Sequence, residues 1–102
     1  MAADAPRHVT WVGLEVTDDA LYARYRAGMT PILENYGGRF DHDFVVSQVL
    51  RSSGSDRINR VFALSFPNRE ARARFFADER YRRVRAACFE PAVASRVELS
   101  AC

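Results

Sequence analysis

Along the first half of this chain the spacing of apolar residues changes from that of a strand to that of a helix. This change constrains the fold more than any other feature of the sequence. Between residues 8 and 17, Val12, Leu14 and Val16 alternate with other residues, which is typical of a strand with one buried face. A helical spacing of three and four follows, on Tyr22, Tyr25, Met29, Ile32 and Tyr36. A strand followed at once by a helix that can cover it predicts an α+β domain.

The remaining elements follow from the same patterns and from their end signals. We expect strands over 39–50, 58–66 and 93–99, with a hairpin loop at 51–57 and two helices that begin after Asn68 and Asp78. Right-handed crossovers then give a ferredoxin-like β-α-β-β-α-α-β domain, with an antiparallel-type sheet in the order 4-1-3-2 and all helices on one face. The 102 residues suit one domain, predicted at 8–102 after a flexible N-terminus at 1–7.

The predicted sheet has one face that no helix covers. If Phe62, Leu64 and Phe66 point at the helices, this face has an apolar centre with charges at one end, formed by Trp11, Glu15, Val61, Ala63, Ser65, Arg96 and Glu98. A contiguous apolar patch usually marks an interface, and a standard one buries about 1,600 Å². We therefore expect a homodimer with Trp11, Glu15, Arg96 and Glu98 at the interface, the three charged residues forming ion pairs.

Composition narrows the location and the class of the protein. The two cysteines, Cys88 and Cys102, form neither a CxxC pair nor the framework of a small secreted scaffold. There is no apolar signal core at the N-terminus and no run of the roughly 18 apolar residues that a membrane span requires. We expect a cytoplasmic protein without a membrane partner.

Several short motifs together resemble one family. They are Tyr22-Ala-Arg-Tyr-Arg26, Pro31, Tyr36-Gly-Gly-Arg-Phe40, Phe66-Pro67, Asp78 with Tyr81, and Ala94-Ser-Arg-Val97. From about Trp11 to Leu99 the chain resembles the bacterial domain-of-unknown-function 1330 family, of the dimeric α/β barrel superfamily. The resemblance implies the same sheet, a face-to-face dimer and a short cleft at the strand edges, but no agreed activity. After Phe40 the chain departs from the family pattern, which has an Arg-Gly-Gly there, so a ligand role of that arginine is not carried over.

The tripeptide Asp41-His42-Asp43 carries the most chemistry. A carboxylate beside an imidazole can fix its tautomer, which a general base requires, so His42 is the candidate catalytic residue. Successive strand residues point to opposite faces, so the three cannot converge on one ion, and we expect no metal and no cofactor. Arginines and tyrosines around the cleft could hold a small acidic or carbonyl ligand, and the candidates are Arg26, Tyr36, Arg39 and Tyr25.

Three hypotheses for function remain open at this point. The first is a dimeric module that binds a small molecule or stabilises an assembly. The second is a cofactor-independent enzyme acting on a small carbonyl or aromatic acid, with His42 as base, which requires His42 and an arginine to face one cavity. The third is nucleic-acid binding by the arginines at positions 69, 72, 74, 80, 82, 83 and 85. It is disfavoured because 60–66 lacks the basic-Gly-aromatic pattern that places stacking rings on an open sheet.

Overall fold

The computed structural model describes residues 6–54 and 57–100. One four-stranded antiparallel sheet has the order β2-β3-β1-β4, and its strands are β1 (His8–Val16), β2 (Arg39–Val45), β3 (Arg60–Phe66) and β4 (Val93–Glu98). The helices are α1 (Asp19–Asn35), α2 (Arg69–Ala77) and α3 (Glu79–Val84), and α3 continues through a π-helical turn (Arg85–Phe89) into the short α4 (Glu90–Ala92). The predicted element order and strand order are confirmed, although β2 and β3 are shorter than predicted.

Capping residues set the helix boundaries. Asp18 accepts a hydrogen bond from the amide of Leu21 at the start of α1, and Asn68 does the same for Ala71 at the start of α2. The end of α1 is closed by Gly37, whose φ of +72° suits glycine, and by the amide of Gly38, which donates to the carbonyl of Leu33. The chain can therefore turn sharply from α1 into β2.

The core lies between the helices and one face of the sheet. β1 and β3 provide the buried side chains of Val12, Leu14, Val16, Phe62, Leu64 and Phe66, and the helices cover them with Tyr22, Tyr25, Met29, Ile32, Leu33, Phe75 and Tyr81. Phe62, Leu64 and Phe66 thus point at the helices, as expected from the sequence. No helix among the described residues packs on the opposite face of the sheet, and we refer to it below as the open face.

Both edge strands contain a bulge that changes which face their residues occupy. In β2, Phe40 pairs with Leu64 and His42 with Ala63, so Asp41 is an extra residue. In β4, an extra residue likewise separates the partners of Val16 and Glu15. A bulge re-aims the side chains that follow it. Phe40 therefore faces the helices, whereas His42 and Phe44 face the open side.

The predicted location of Arg96 and Glu98 is wrong. Arg96 pairs with Leu14 and Glu98 with Val12, and directly paired residues share a face, so both lie on the helix-bearing side. Glu15 faces the open side, where the hydroxyl of Ser95 donates to its carboxylate at 3.3 Å. The predicted ion-pair network of Glu15, Arg96 and Glu98 therefore cannot form within one sheet, because the sheet separates Glu15 from the other two.

The start of the described chain is tied to the sheet. Arg7, which the sequence places in the flexible N-terminus, donates from its guanidinium to the hydroxyl and carbonyl of Ser65 and to the carbonyl of Gly37. The rest of that predicted segment, apart from Pro6, lies outside the described residues.

Candidate functional site

Three aromatic rings form a row across the middle of the open face. The rings of Trp11 and His42 are stacked with their centroids 5.3 Å apart and an interplanar angle of 12°. Those of His42 and Phe44 are stacked at 5.8 Å and 17°. Ala63 pairs with both Trp11 and His42 and has no exposed surface, because the rings on either side cover it. We call Trp11, His42 and Phe44 the aromatic row.

Polar groups occupy one end of the open face, beside the aromatic row. Arg39 donates to Asp41 at 2.7 Å. The buried Ser65 pairs with Arg39 across the two strands, and its hydroxyl accepts a hydrogen bond from Arg7. Partial burial alone would raise the pKa of Asp41, but its hydrogen bonds with Arg39 and Ser65 outweigh this and hold the pKa below its usual range. This end of the face therefore carries a charged, internally paired cluster.

An apolar cavity of about 370 Å³ lies at the other end of the open face. The chain between β2 and β3 forms one wall, and the sheet and the end of β4 form the other. Its lining residues are Val46, Gln48, Val49, Leu50, Arg51, Ser52, Ile58, Val61, Val97 and Leu99. Gly13 lies under Ile58 and Val97, whose methyl groups come within 3.1 Å of where a Cβ would be. We call this space the apolar cavity.

Arg26 lies on the other side of the sheet and is already engaged by its own chain. Its guanidinium is 2.6 Å from the carboxylate of Asp43, 3.2 Å from the hydroxyl of Tyr22 and 3.7 Å from the centroid of the Phe40 ring. Burial lowers the pKa of Arg26, but the hydrogen bonds to Asp43 and Tyr22 more than compensate and raise it. Arg26 therefore holds α1 against β2, and a ligand would have to compete with Asp43 for it.

The two candidate tyrosines are also engaged within the chain. The hydroxyl of Tyr25 lies 2.9 Å from that of Tyr81 in the core, and burial raises the pKa of Tyr25 strongly. The hydroxyl of Tyr36 donates to Asp78 at 2.7 Å, and Tyr36 lines a cavity with residues of α2. Neither hydroxyl lies beside the aromatic row.

The structure therefore does not bring the predicted site residues together. His42 and Arg39 share the open face, whereas Arg26 lies on the helix-bearing side, Tyr25 is in the core, and Tyr36 is near the start of α3. The roles proposed for them from the sequence stay predictions. Sequence reasoning missed the apolar cavity, because it assigned 39–50 to a strand. Val46, Val49 and Leu50 lie beyond the observed end of β2, and their apolar side chains were the signal that could have indicated the cavity.

Three further findings concern the charged residues of the helices, metal binding and membrane spans. Four of the seven helical arginines pair with carboxylates of their own helical region, in Arg74–Glu70, Arg80–Asp78, Arg83–Glu79 and Arg85–Glu90. Across residues 6–54 and 57–100, no three His, Cys, Asp or Glu side chains are grouped so that they could hold a metal ion. Within the same described ranges, no helix has the length and apolar character that crossing a bilayer requires.

Solved structures with the same architecture show the fold of the protein. RPA0582, a protein of unknown function from Rhodopseudomonas palustris, has a TM-score of 0.72 at 18% identity, over 89% of this chain and 78% of that chain. A dabb family protein with a ferredoxin-like fold from Mesorhizobium loti has a TM-score of 0.64 at 16% identity, over 89% and 90%. A NIPSNAP domain protein from Burkholderia xenovorans has a TM-score of 0.62 at 16% identity, over 92% and 93%. The predicted ferredoxin-like α+β fold is confirmed.

A match to a family model identifies the family of the chain. The family model described as Domain of unknown function (DUF1330) matches residues 10–97, and the chain belongs to this family. The resemblance drawn from the sequence motifs is thus confirmed. No curated protein matches the chain.

Proposed function

We propose that the protein is a homodimeric small-molecule-binding module, in which two copies pack through their open faces and the apolar cavity beside that interface holds the ligand. The observation that carries the proposal is the aromatic row, together with the apolar surface that continues from it. Phe44 and Leu99 are both apolar residues on the open face, and they are 50% and 51% exposed. Contiguous apolar surface of this kind is typical of an interface.

A second copy of the chain is the occupant that fits the open face. The molecule measures 41 × 29 × 20 Å, and the shortest dimension corresponds to one helix layer on one sheet. The broad face can therefore provide the roughly 800 Å² per partner of a standard interface. Flat aromatic rings flanked by the Arg39–Asp41 pair also give an apolar centre with a polar rim, as interfaces have.

The apolar cavity has the size and lining of a small-molecule site. Ligand pockets commonly have volumes of about 300–1,000 Å³, mostly apolar walls and a few polar groups. Gln48, Arg51 and Ser52 are the polar residues of its lining, and they can contact an acidic or amide group. We expect a small apolar acid as the ligand. We also expect the protein in the cytoplasm, a reducing compartment that suits its two cysteines.

The dimer is tested by one substitution and a neighbouring control. Phe44→Glu places a charge on the open face, whereas Val45→Glu places the same charge on the next residue, which is 74% exposed and points to the other side. Light scattering at micromolar concentration should give a dimer for the wild type and V45E and a monomer for F44E. A wild-type monomer, or dimers for all three proteins, would refute the open-face interface.

Ligand binding is tested separately with the apolar anionic dye 1-anilinonaphthalene-8-sulfonate. Val49→Trp fills the apolar cavity from its loop wall, and Ser47→Trp adds the same ring to an exposed neighbour outside the lining. The dye should bind the wild type and S47W with similar affinity and bind V49W at least tenfold more weakly. Equal binding to V49W would place the dye elsewhere and contradict the ligand site, whatever the oligomeric state.

A further inference from the structure

A second cavity, about 350 Å³ in volume, lies on the helix-bearing side of the sheet, away from the open face. The start of β1, the first turns of α2 and the end of β4 form its walls. Its lining residues are His8, Val9, Thr10, Arg69, Arg72, Glu98 and Ser100. This polar cavity takes no part in the function proposed above.

The charged side chains of the polar cavity have no ion-pair partners within the described chain. The cavity is lined by three charged side chains, those of Arg69, Arg72 and Glu98. None of the three forms an ion pair among residues 6–54 and 57–100. The arginines further along the helices differ, since four of them are paired with carboxylates. Two guanidinium groups and one carboxylate are thus left to interact with a ligand.

Arg72 also carries an unsatisfied donor. Its guanidinium lies 5.0 Å from the centroid of the Phe76 ring, and its Nε is buried without a hydrogen-bond partner among the described residues. A buried donor without an acceptor is destabilising, and more so if the group is charged. An acceptor brought in by a ligand, with a small shift of the guanidinium, would remove that cost. The missing partner is therefore a hydrogen-bond acceptor, and the two guanidinium groups without ion pairs favour one that carries negative charge.

The other lining groups restrict what kind of anion fits. The hydroxyl of Ser100 accepts a hydrogen bond from the amide of Trp11 at 2.6 Å, so its own hydrogen is left to donate into the cavity. Thr10 adds a second hydroxyl to the same walls. Glu98 accepts hydrogen bonds only, and it repels a second negative charge on a ligand.

We propose that the polar cavity binds a small monocarboxylate that carries hydroxyl groups. The carboxylate accepts hydrogen bonds from Arg69 and Arg72, which match it in geometry and charge. Hydroxyl groups of the ligand donate to Glu98 and exchange hydrogen bonds with Thr10 and Ser100. A phosphate ester or a dicarboxylate is disfavoured, since Glu98 would face its additional charge.

Three probes of equal carbon number separate the parts of this proposal. Gluconate has one carboxylate and several hydroxyls, sorbitol has the hydroxyls alone, and glucarate has a carboxylate at each end. Isothermal titration of the wild-type protein should show gluconate binding at least tenfold more tightly than sorbitol and than glucarate. Equal affinity for sorbitol, or no detectable binding of gluconate, would overturn the proposal.

Variants assign the binding to this cavity. Arg69→Gln should weaken gluconate binding about tenfold or more, because it removes a charge-assisted hydrogen bond to the carboxylate. Arg82→Gln, on the exposed surface of α3, removes the same charge outside the cavity and should leave the affinity within about twofold. Glu98→Gln should reduce the preference for gluconate over glucarate.

The outcomes of this experiment are decisive even if one variant folds poorly. Equal weakening by R69Q and R82Q would show general attraction by net charge and would refute the site. An unchanged preference in E98Q would refute the role of Glu98. Arg72→Gln is a second test of the anion contact, judged only if its circular dichroism matches that of the wild type, because Arg72 also packs on Phe76.

Discussion

The indole of Trp11 and the imidazole of His42 lie nearly parallel, 12° apart with centroids separated by 5.3 Å, on the two strands that flank Ala63. Ala63 has no exposed surface, even though no helix covers its face of the sheet. The small side chain lets two rings from non-adjacent strands meet above it. The size of residue 63 therefore controls whether the centre of the open face is one continuous ring surface.

The first prediction follows from this contact. Ala63→Leu should separate the rings of Trp11 and His42 and destabilise the protein by about 1–3 kcal/mol, as overpacking does. Because Trp11 is the only tryptophan, near-ultraviolet circular dichroism reports its surroundings directly. The A63L signal should decrease, and its urea midpoint should fall. Ala63→Ser, which keeps the small volume, is the control, and an unchanged A63L spectrum would contradict the proposed contact.

The sequence was sufficient for the order of the elements and insufficient for the faces of the edge strands. The alternation of apolar residues correctly assigned Val12, Leu14 and Val16 to the core. It held there because β1 is a central strand that pairs with β3 on one side and with β4 on the other. In β2 the extra residue Asp41 reverses the alternation, so Phe40 and Phe44 lie on opposite faces. A bulge is set by pairing with the neighbouring strand, and the strand's own alternation does not reveal it.

The candidate site was harder to predict for a related reason. Arg26 and Arg39 are close in sequence, but α1 lies on one face of the sheet and Arg39 points to the other. Arg26 also finds Asp43 on its own side, a pairing that depends on the bulge at Asp41. Residue chemistry identified groups that can bind acids, and only the register showed which of them share a face.

The second prediction concerns the turn between α1 and β2. A Cβ on Gly38 would lie 2.8 Å from Cε1 of Phe66 and closer still to Leu33, both in the core. Gly38→Ala should therefore lower the free energy of unfolding by about 1–3 kcal/mol. Gly54→Ala is the matched control, since its nearest atom would be 4.0 Å away, on Ser52. Equal urea midpoints for G38A and G54A would contradict this packing.

The third prediction concerns the hydroxyl pair of Tyr25 and Tyr81 in the core. Tyr25→Phe leaves the Tyr81 hydroxyl without this partner and should cost about 1–3 kcal/mol in unfolding free energy. In Tyr25→Phe/Tyr81→Phe both polar groups are removed, so the double variant should lose less than the sum of the two single variants. Urea denaturation of the four proteins gives the coupling energy. Additive losses would show that the two hydroxyls do not interact.

The last prediction uses Asp78, which lies between Tyr36, Arg80 and the start of α3. Its carboxylate accepts hydrogen bonds from the side chains of Arg80 and Tyr36 and from two backbone amides of α3. The hydrogen bond with Arg80, followed by that with Tyr36, holds the pKa of Asp78 far below its usual range. The folded state therefore releases this proton more readily than the unfolded chain does.

The sign of the effect on stability follows from that difference. A carboxyl with a depressed pKa in the folded state stabilises the fold above its unfolded pKa, near 4, and loses this contribution as the pH falls through the folded value. Asp78→Asn keeps an N-cap side chain but has no charge, so the wild type should exceed D78N in urea midpoint at neutral pH, and the difference should shrink below about pH 4. Tyr36→Phe should give a smaller loss at neutral pH, because Arg80 and the α3 amides still hold the carboxylate. If the gap between the wild type and D78N stayed constant down to the acid unfolding transition, Asp78 would act through its shape alone, and its charge would play no part in fixing α3.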